Sequence, residues 1–263
     1  MQFRFTRKSL CIPYIVFLLL FVVAPLAVLL YYAFTNGSGQ FTIANFTGFF
    51  TDPNALGTLF YSFFVALATT VVCLLLAYPA ACILAFSKLK SKSVIIMLFV
   101  MPMWINFSLR ITALKEILTF FEGNLAMYPL LNAVIGMTYD FLPFMILPIY
   151  TTISRLDGAL MEASMDLGAN EVQTFLRVTF PLSVPGILSG VSMVFLPAMT
   201  NYVVLDMLYN STYIMGSLIG SYFSSYNWNG GSMIALILLA VICLFTLLTE
   251  DGEEKPARGG ALL

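Results

Sequence analysis

The sequence predicts an all-α membrane protein, a bundle of six transmembrane helices with both chain ends on the inner side, and three observations predict it. Of the 263 residues, 60% are hydrophobic and 10% charged, with a mean hydropathy of +0.94. A water-soluble domain carries roughly 25% charged residues to wet its surface, so the surface here faces lipid. Six apolar runs match the ~20 residues that a helix needs to cross a hydrocarbon core of about 30 Å. Ten of the twelve lysines and arginines fall in segments on one side of that arrangement, and cytoplasmic segments are the ones that retain positive charge on insertion.

The runs fall near residues 10–34, 56–86, 93–112, 129–153, 183–204 and 233–249. The first follows Arg4, Arg7 and Lys8 and is too long for a secretory signal core, with no small-x-small site after Tyr31 and Tyr32; it reads as a spanning helix. The second overruns the bilayer and carries Pro79, which predicts a tilt or a kink. Residues 1–9 form an inner N-terminus, residues 10–249 the transmembrane domain, and residues 250–263 a polar inner tail. The inner segments hold Arg4, Arg7, Lys8, Lys88, Lys90, Lys92, Arg155, Arg177, Lys255 and Arg258, and the outer ones only Arg110 and Lys115.

Composition excludes several function classes. The chain has no histidine, hence no imidazole base or ligand. Cys11, Cys73, Cys82 and Cys243 lie apart in apolar runs and read as small core residues rather than a metal set. A net charge of -1 without basic clusters argues against nucleic acid. No GxxxxGK[ST] phosphate loop is present, so uphill transport would draw on an ion gradient or on an ATPase partner. No catalytic residue, metal or cofactor is expected.

The inner connection at 154–182 chooses between those energy sources. Ala159 to Leu167 suit a short helix, with Leu160, Met161, Ala163, Ser164 and Leu167 on an apolar or small face. Gly168 stands where a helix stops in a left-handed residue. Asn170 and Gln173 have capping-box spacing for a second helix, which Pro181 is expected to close before the fifth span. The plain alternative is an amphipathic loop at the headgroup layer.

Glu162, Ala163, Gly168, Val178 and Pro181 reproduce the spacing EAA, three residues, G, nine residues, I-x-L-P, with Ser164, Val178 and Phe180 as mild departures. In this the chain resembles the permeases of binding-protein-dependent ABC transporters. The resemblance implies a six-helix fold of the type I importer (MetI-like) kind in a bacterial inner membrane. It also implies three partners: a second permease, a cytoplasmic ATPase dimer and an external substrate-binding protein. Glu162, Ala163, Ser164, Asp166, Gly168 and Pro181 would then form the coupling element that docks on the ATPase. YDFLPFMILPIYTTISRLD from Tyr139, FLPA from Phe195, IMGSLIGSYF, NWNGG and PMWINFSLR from Pro102 further resemble the spermidine/putrescine permeases of the PotB type.

A polyamine pathway needs carboxylates, carbonyls and aromatic faces. Asp140 sits near the middle of the fourth span, where a charge is costly unless it faces a cavity or a partner. Asn132, Gly136, Asp140 and Phe144 recur every four residues and define one inward stripe beside Tyr139. The alternative is an Asp140 that is protonated or hydrogen-bonded to another helix. Asp206, with Tyr202 nearby, would receive a cation at the outer end of the fifth span, although the glycine turn of the resembled family is replaced by Met207, Leu208, Tyr209 and Asn210. Tyr222, Tyr226 and Trp228 suit an interfacial belt. Gly186 and Gly190 form a GxxxG for close packing, with the partner permease as one candidate surface. With no basic residue expected at mid-depth, a cation is favoured over an amino acid or an inorganic anion. An ion-coupled stand-alone transporter would require inverted repeats or several intramembrane carboxylates, and an inert scaffold would need no projecting element at 154–182.

Overall fold

The computed structural model describes residues 11–87, 90–208 and 214–250. Arg4, Arg7, Lys8, Lys88, Lys255, Arg258, Tyr209, Asn210 and the tail beyond Glu250 lie outside them, as does the side chain of Cys11. All regular structure among the described residues is helical, save one isolated bridge between Thr35 and Phe41.

In chain order, α1 is the apolar helix Ile12–Ala33. Its turn Leu19–Val23 is π-helical, with the Ala24 N–H bonded back to the Leu19 carbonyl. Pro25 follows two residues after that turn. A proline ring strikes the carbonyl four residues back, and the extra residue of a π turn moves that carbonyl aside. Helix α2 is Ala44–Thr51. Helix α3, Pro53–Phe86, has 34 residues and Pro79 inside it; at 1.5 Å per residue it extends about 50 Å, which overruns a bilayer core as predicted. The Asp52 carboxylate accepts from the Asn54 N–H at its start, and Lys92 Nζ donates to the Ala85 carbonyl near its end at 2.6 Å.

The third predicted span is not one helix. Lys92–Trp104 (α4) and Phe107–Glu122 (α5) meet at 96°. Pro102 tightens the end of α4 into a 3-10 turn, Ile105 is extended, and the Asn106 side chain caps α5 by accepting from the Ser108 N–H at 2.9 Å. The apolar run at 93–112 hid a proline and an N-cap, which together end one helix and begin another. Gly123, at φ 72°, terminates α5. Helix α6, Pro129–Ile153, has the predicted bounds. Helix α7 is Gly158–Asp166 and α8 is Glu171–Thr200. Helix α9 is Tyr202–Leu208, α10 is Met215–Ser224, and α11 is Trp228–Glu250. Among the described residues five helices are long and apolar enough to cross a membrane, or six with the bent pair as one span.

The chain divides into two compact units. The first comprises the described residues up to Thr58 together with Ser217–Val241. There Asn45 Nδ2 donates to the carbonyls of Ala33 and Thr35, and Asn229 Nδ2 to those of Tyr32 and Thr35, at 2.6–3.0 Å. These bonds satisfy the Tyr32 and Ala33 carbonyls at the end of α1 and that of Thr35 just beyond it. A Cβ on Gly230 would come within 2.5 Å of the Tyr222 ring, so a small residue here lets α11 approach α10. The second unit comprises Leu59–Gly216 and the chain from Ile242. Its centre is α6, whose Ala133, Met137, Met145 and Ile149 are fully buried. Phe195 of α8 stacks on Phe245 with centroids 4.1 Å apart and meets Phe63 edge-on. Lipid tails are as apolar as these side chains, so close fit rather than water exclusion holds such helices together. Of the cysteines, Cys73 is buried as predicted, Cys82 half-buried, and Cys243 exposed, because α11 turns that residue outward.

Candidate functional site

The predicted coupling element is a helix hairpin in which each end has its own stop signal. The Asp157 carboxylate caps α7 by accepting from the Ala159 N–H at 3.0 Å. At the other end Gly168 has φ 90°, its N–H bonds the Met165 carbonyl at 2.9 Å, and the Ala169 N–H bonds that of Ser164 at 3.2 Å. That pair of bonds is the left-handed helix stop. Asn170 and Gln173 then form a reciprocal capping box, at 2.8 and 3.1 Å. Ser164, the departure from the second alanine of the motif, has its Oγ 3.0 Å from Thr174 Oγ1 and so ties the two arms.

Pro181 does not close the second arm. The arm passes through a π turn, Phe175–Thr179, into a single helix that runs to Thr200. As in α1, the proline stands two residues beyond the π turn, whose widening removes the clash. The hairpin is therefore fused to a span. Glu162, Ala163 and Asp166 are exposed, and Leu167 at the tip is 90% exposed, with Leu160, Met165 and Val172 also outward. Tyr78 of α3, which sequence reasoning missed, sets its hydroxyl 3.0 Å from Ser183 Oγ and its ring edge-on to Phe175 and Phe180.

The predicted stripe on α6 faces inward, and its positions are occupied. Asn132 donates to the Glu122 carboxylate at 2.8 Å and to the Leu125 carbonyl at 2.9 Å. A Cβ on Gly136 would lie 2.6 Å from Leu208 of α9. Phe144 lines a groove of about 480 Å³ with Thr151, Thr152, Pro185, Ser189 and Met193. Asp140 has a cation: Arg110 Nη2 donates to its Oδ1 at 2.6 Å, with side-chain exposures of 7% and 8%. The expectation that no basic residue lies near Asp140 is thus overturned. The bend at Ile105–Asn106 turns α5 so that Arg110, counted as an outer residue, reaches α6. The guanidinium carbon lies 5.9 Å from the Tyr139 ring and 6.0 Å from that of Phe107. The clue available in the sequence was Arg110 itself, a charge at the end of an apolar run, which requires a partner at that depth.

Tyr202 and Asp206 share an exposed face of α9, opposite the buried Val204, Leu205 and Leu208. No hydrogen bond or ion pair among the described residues joins them to Asp140. Lys115 Nζ donates to the Met207 carbonyl at 3.0 Å and so caps α9. Gly186 and Gly190 pack against α6 within the chain. A Cβ on Gly186 would fall 2.5 Å from Thr152 Oγ1 and 2.9 Å from the Pro148 carbonyl, and one on Gly190 would fall 2.7 Å from Met145 Sδ, all on α6.

No family model matches the chain. The spermidine/putrescine transport system permease protein PotB of Haemophilus influenzae is 33% identical over 249 residues, which covers 86% of this chain and 87% of that protein. PotB of Escherichia coli K12 is 34% identical over 225 residues, covering 79% and 81%. A chain in the crystal structure of a bacterial alginate ABC transporter, in complex with its alginate pentasaccharide-bound periplasmic protein, aligns with a TM-score of 0.74 at 12% identity. The alignment covers 94% of this chain and 93% of that one. The predicted permease fold is therefore the observed one. With a relative above 30% identity along most of its length, the chain belongs to the PotB family of spermidine/putrescine transport system permease proteins.

Proposed function

We propose that the chain is the membrane-spanning permease subunit of an ATP-driven importer of polyamines, spermidine or putrescine, in a bacterial inner membrane. The observation that carries the mechanism is the hairpin of α7 and the start of α8, a lever closed by its own caps and continuous with a span. A second permease completes the pathway, an external binding protein delivers the substrate, and a cytoplasmic ATPase dimer hydrolyses the ATP. The bias of lysine and arginine supports a hairpin on the inner side, with both chain ends. Glu162, Ala163, Ser164, Asp166 and Gly168 present the lever to the ATPase, and its closure is passed through the π turn and Pro181 to α8 and through Tyr78 to α3. Helix-in-groove docking suits the exposed leucines and the small Ala163.

Along the pathway Asp140 is the counter-charge for an ammonium group, Tyr139 and Phe144 are its aromatic neighbours, and Asp206 with Tyr202 receives the cation at the outer end. An anionic solute is the second reading, favoured by Arg110, whose Nε and Nη1 have no acceptor among the described residues. Uptake of labelled spermidine and putrescine in vesicles, at matched expression, separates these roles for wild type, Asp140→Asn and Asp140→Ala. A pathway carboxylate is expected to lose uptake in both variants while the complex still assembles. Wild-type uptake in Asp140→Asn, with loss only in Asp140→Ala, would assign Asp140 to packing, because Asn can still accept from Arg110.

A further inference from the structure

We propose that Arg110 is a built-in competitor for the substrate, its guanidinium holding the cation site of Asp140, Tyr139 and Phe107 until an ammonium group of the polyamine displaces it. The inference rests on the polyamine reading and adds a residue that sets affinity within it. The surroundings of the guanidinium are those that recognise an organic cation: one buried carboxylate at 2.6 Å and two aromatic rings at 5.9 and 6.0 Å. The chain has built such a site and filled it with its own side chain.

The hold on that site is partial. Arg–carboxylate pairs are frequently bidentate, with two parallel N–H···O bonds from the guanidinium fork. Arg110 makes one, from Nη2 to Oδ1, and its Nε and Nη1 are buried without an acceptor among the described residues. A primary ammonium is a compact charge whose three donors rotate to meet one carboxylate, with no planar fork to be matched. Arg110 also sits on the first turn of α5, directly after the 96° break at Ile105 and Asn106. An occupied site lowers apparent affinity by the fraction of molecules in which it is free. Arg110 therefore sets how tightly the pathway holds its cargo, and weak holding lets the cargo leave.

The test is equilibrium binding of labelled spermidine to the purified permease and ATPase complex without binding protein, for wild type, Arg110→Gln, Arg110→Lys and Asp140→Asn. Removing the competitor in Arg110→Gln is expected to lower Kd by roughly fivefold or more, the lower end of ordinary coupling between ligands; Arg110→Lys, whose own ammonium takes the site, is expected to raise it, and Asp140→Asn to lose binding. Unchanged or raised Kd in Arg110→Gln, with binding still lost in Asp140→Asn, would overturn the competitor and leave Asp140 in the pathway. Binding retained in Asp140→Asn would remove Asp140 from the pathway and the competitor with it. If Arg110→Gln leaves a buried carboxylate that prevents assembly, Arg110→Lys decides: its ammonium keeps Asp140 paired and competes for the same site, so a raised Kd supports the competitor and an unchanged or lowered Kd overturns it.

Discussion

Gly168 and Ser164 illustrate how single residues set the geometry of the coupling lever. At φ 90° Gly168 occupies a region that costs a side-chain-bearing residue about 1–2 kcal/mol. A Cβ there would meet nothing within 4 Å, so the cost of substitution is one of backbone and not of packing. Gly168→Val, and a charged residue at the exposed Ala163, are expected to reduce substrate-stimulated ATPase activity of the reconstituted complex severalfold while membrane yield stays near wild type. Full stimulation in both would remove this helix from docking. Ser164→Ala loses the bond to Thr174, worth about 0.5–1.5 kcal/mol, and is expected to give a milder defect in the same assay. The glycine stop and the capping box were legible because each is a local pattern of two or three residues. Arg110 and Asp140 were not, since their contact spans thirty residues of chain and depends on a bend. Removing one member of such a buried pair costs about 3–5 kcal/mol.

Helices were legible by length and hydropathy, and their interruptions were not. The fourth run matched α6 at both ends, whereas the third concealed a 96° break and the fifth joined the hairpin without one. Pro102 breaks its helix because an extended residue and an N-cap follow it, and Pro181 does not because a π turn precedes it. Proline alone carries no such distinction. The GxxxG pattern showed that something packs closely on α8, and only the structure shows that it is α6. Gly186→Val is accordingly expected to overpack that contact, at about 1–3 kcal/mol, and to lower the yield and thermal stability of the purified protein. Gly220→Ala serves as the control, because its Cβ would meet nothing within 4 Å. Equal stability of the two variants would contradict the packing of α8 on α6.

At the scale of the whole molecule, the fold class followed from one physical demand, that a chain with 10% charged residues must be solvated by lipid. The site was legible only as parts: a lever, a carboxylate and a set of aromatic residues. What joins the lever to the spans is continuous structure, from α7 through the π turn to α8 and, by way of the Tyr78 contact, to α3. This permease is expected to move polyamines only when its lever is driven by a separate ATPase. Labelled spermidine and putrescine uptake into proteoliposomes holding the complete complex and its binding protein tests it most directly, with arginine and phosphate as competing solutes. The expected result is ATP-dependent accumulation of polyamine, insensitive to both competitors and reduced severalfold in a complex whose permease carries Gly168→Val. Accumulation of phosphate or arginine in place of polyamine, or polyamine uptake that persists without ATP, would contradict the account.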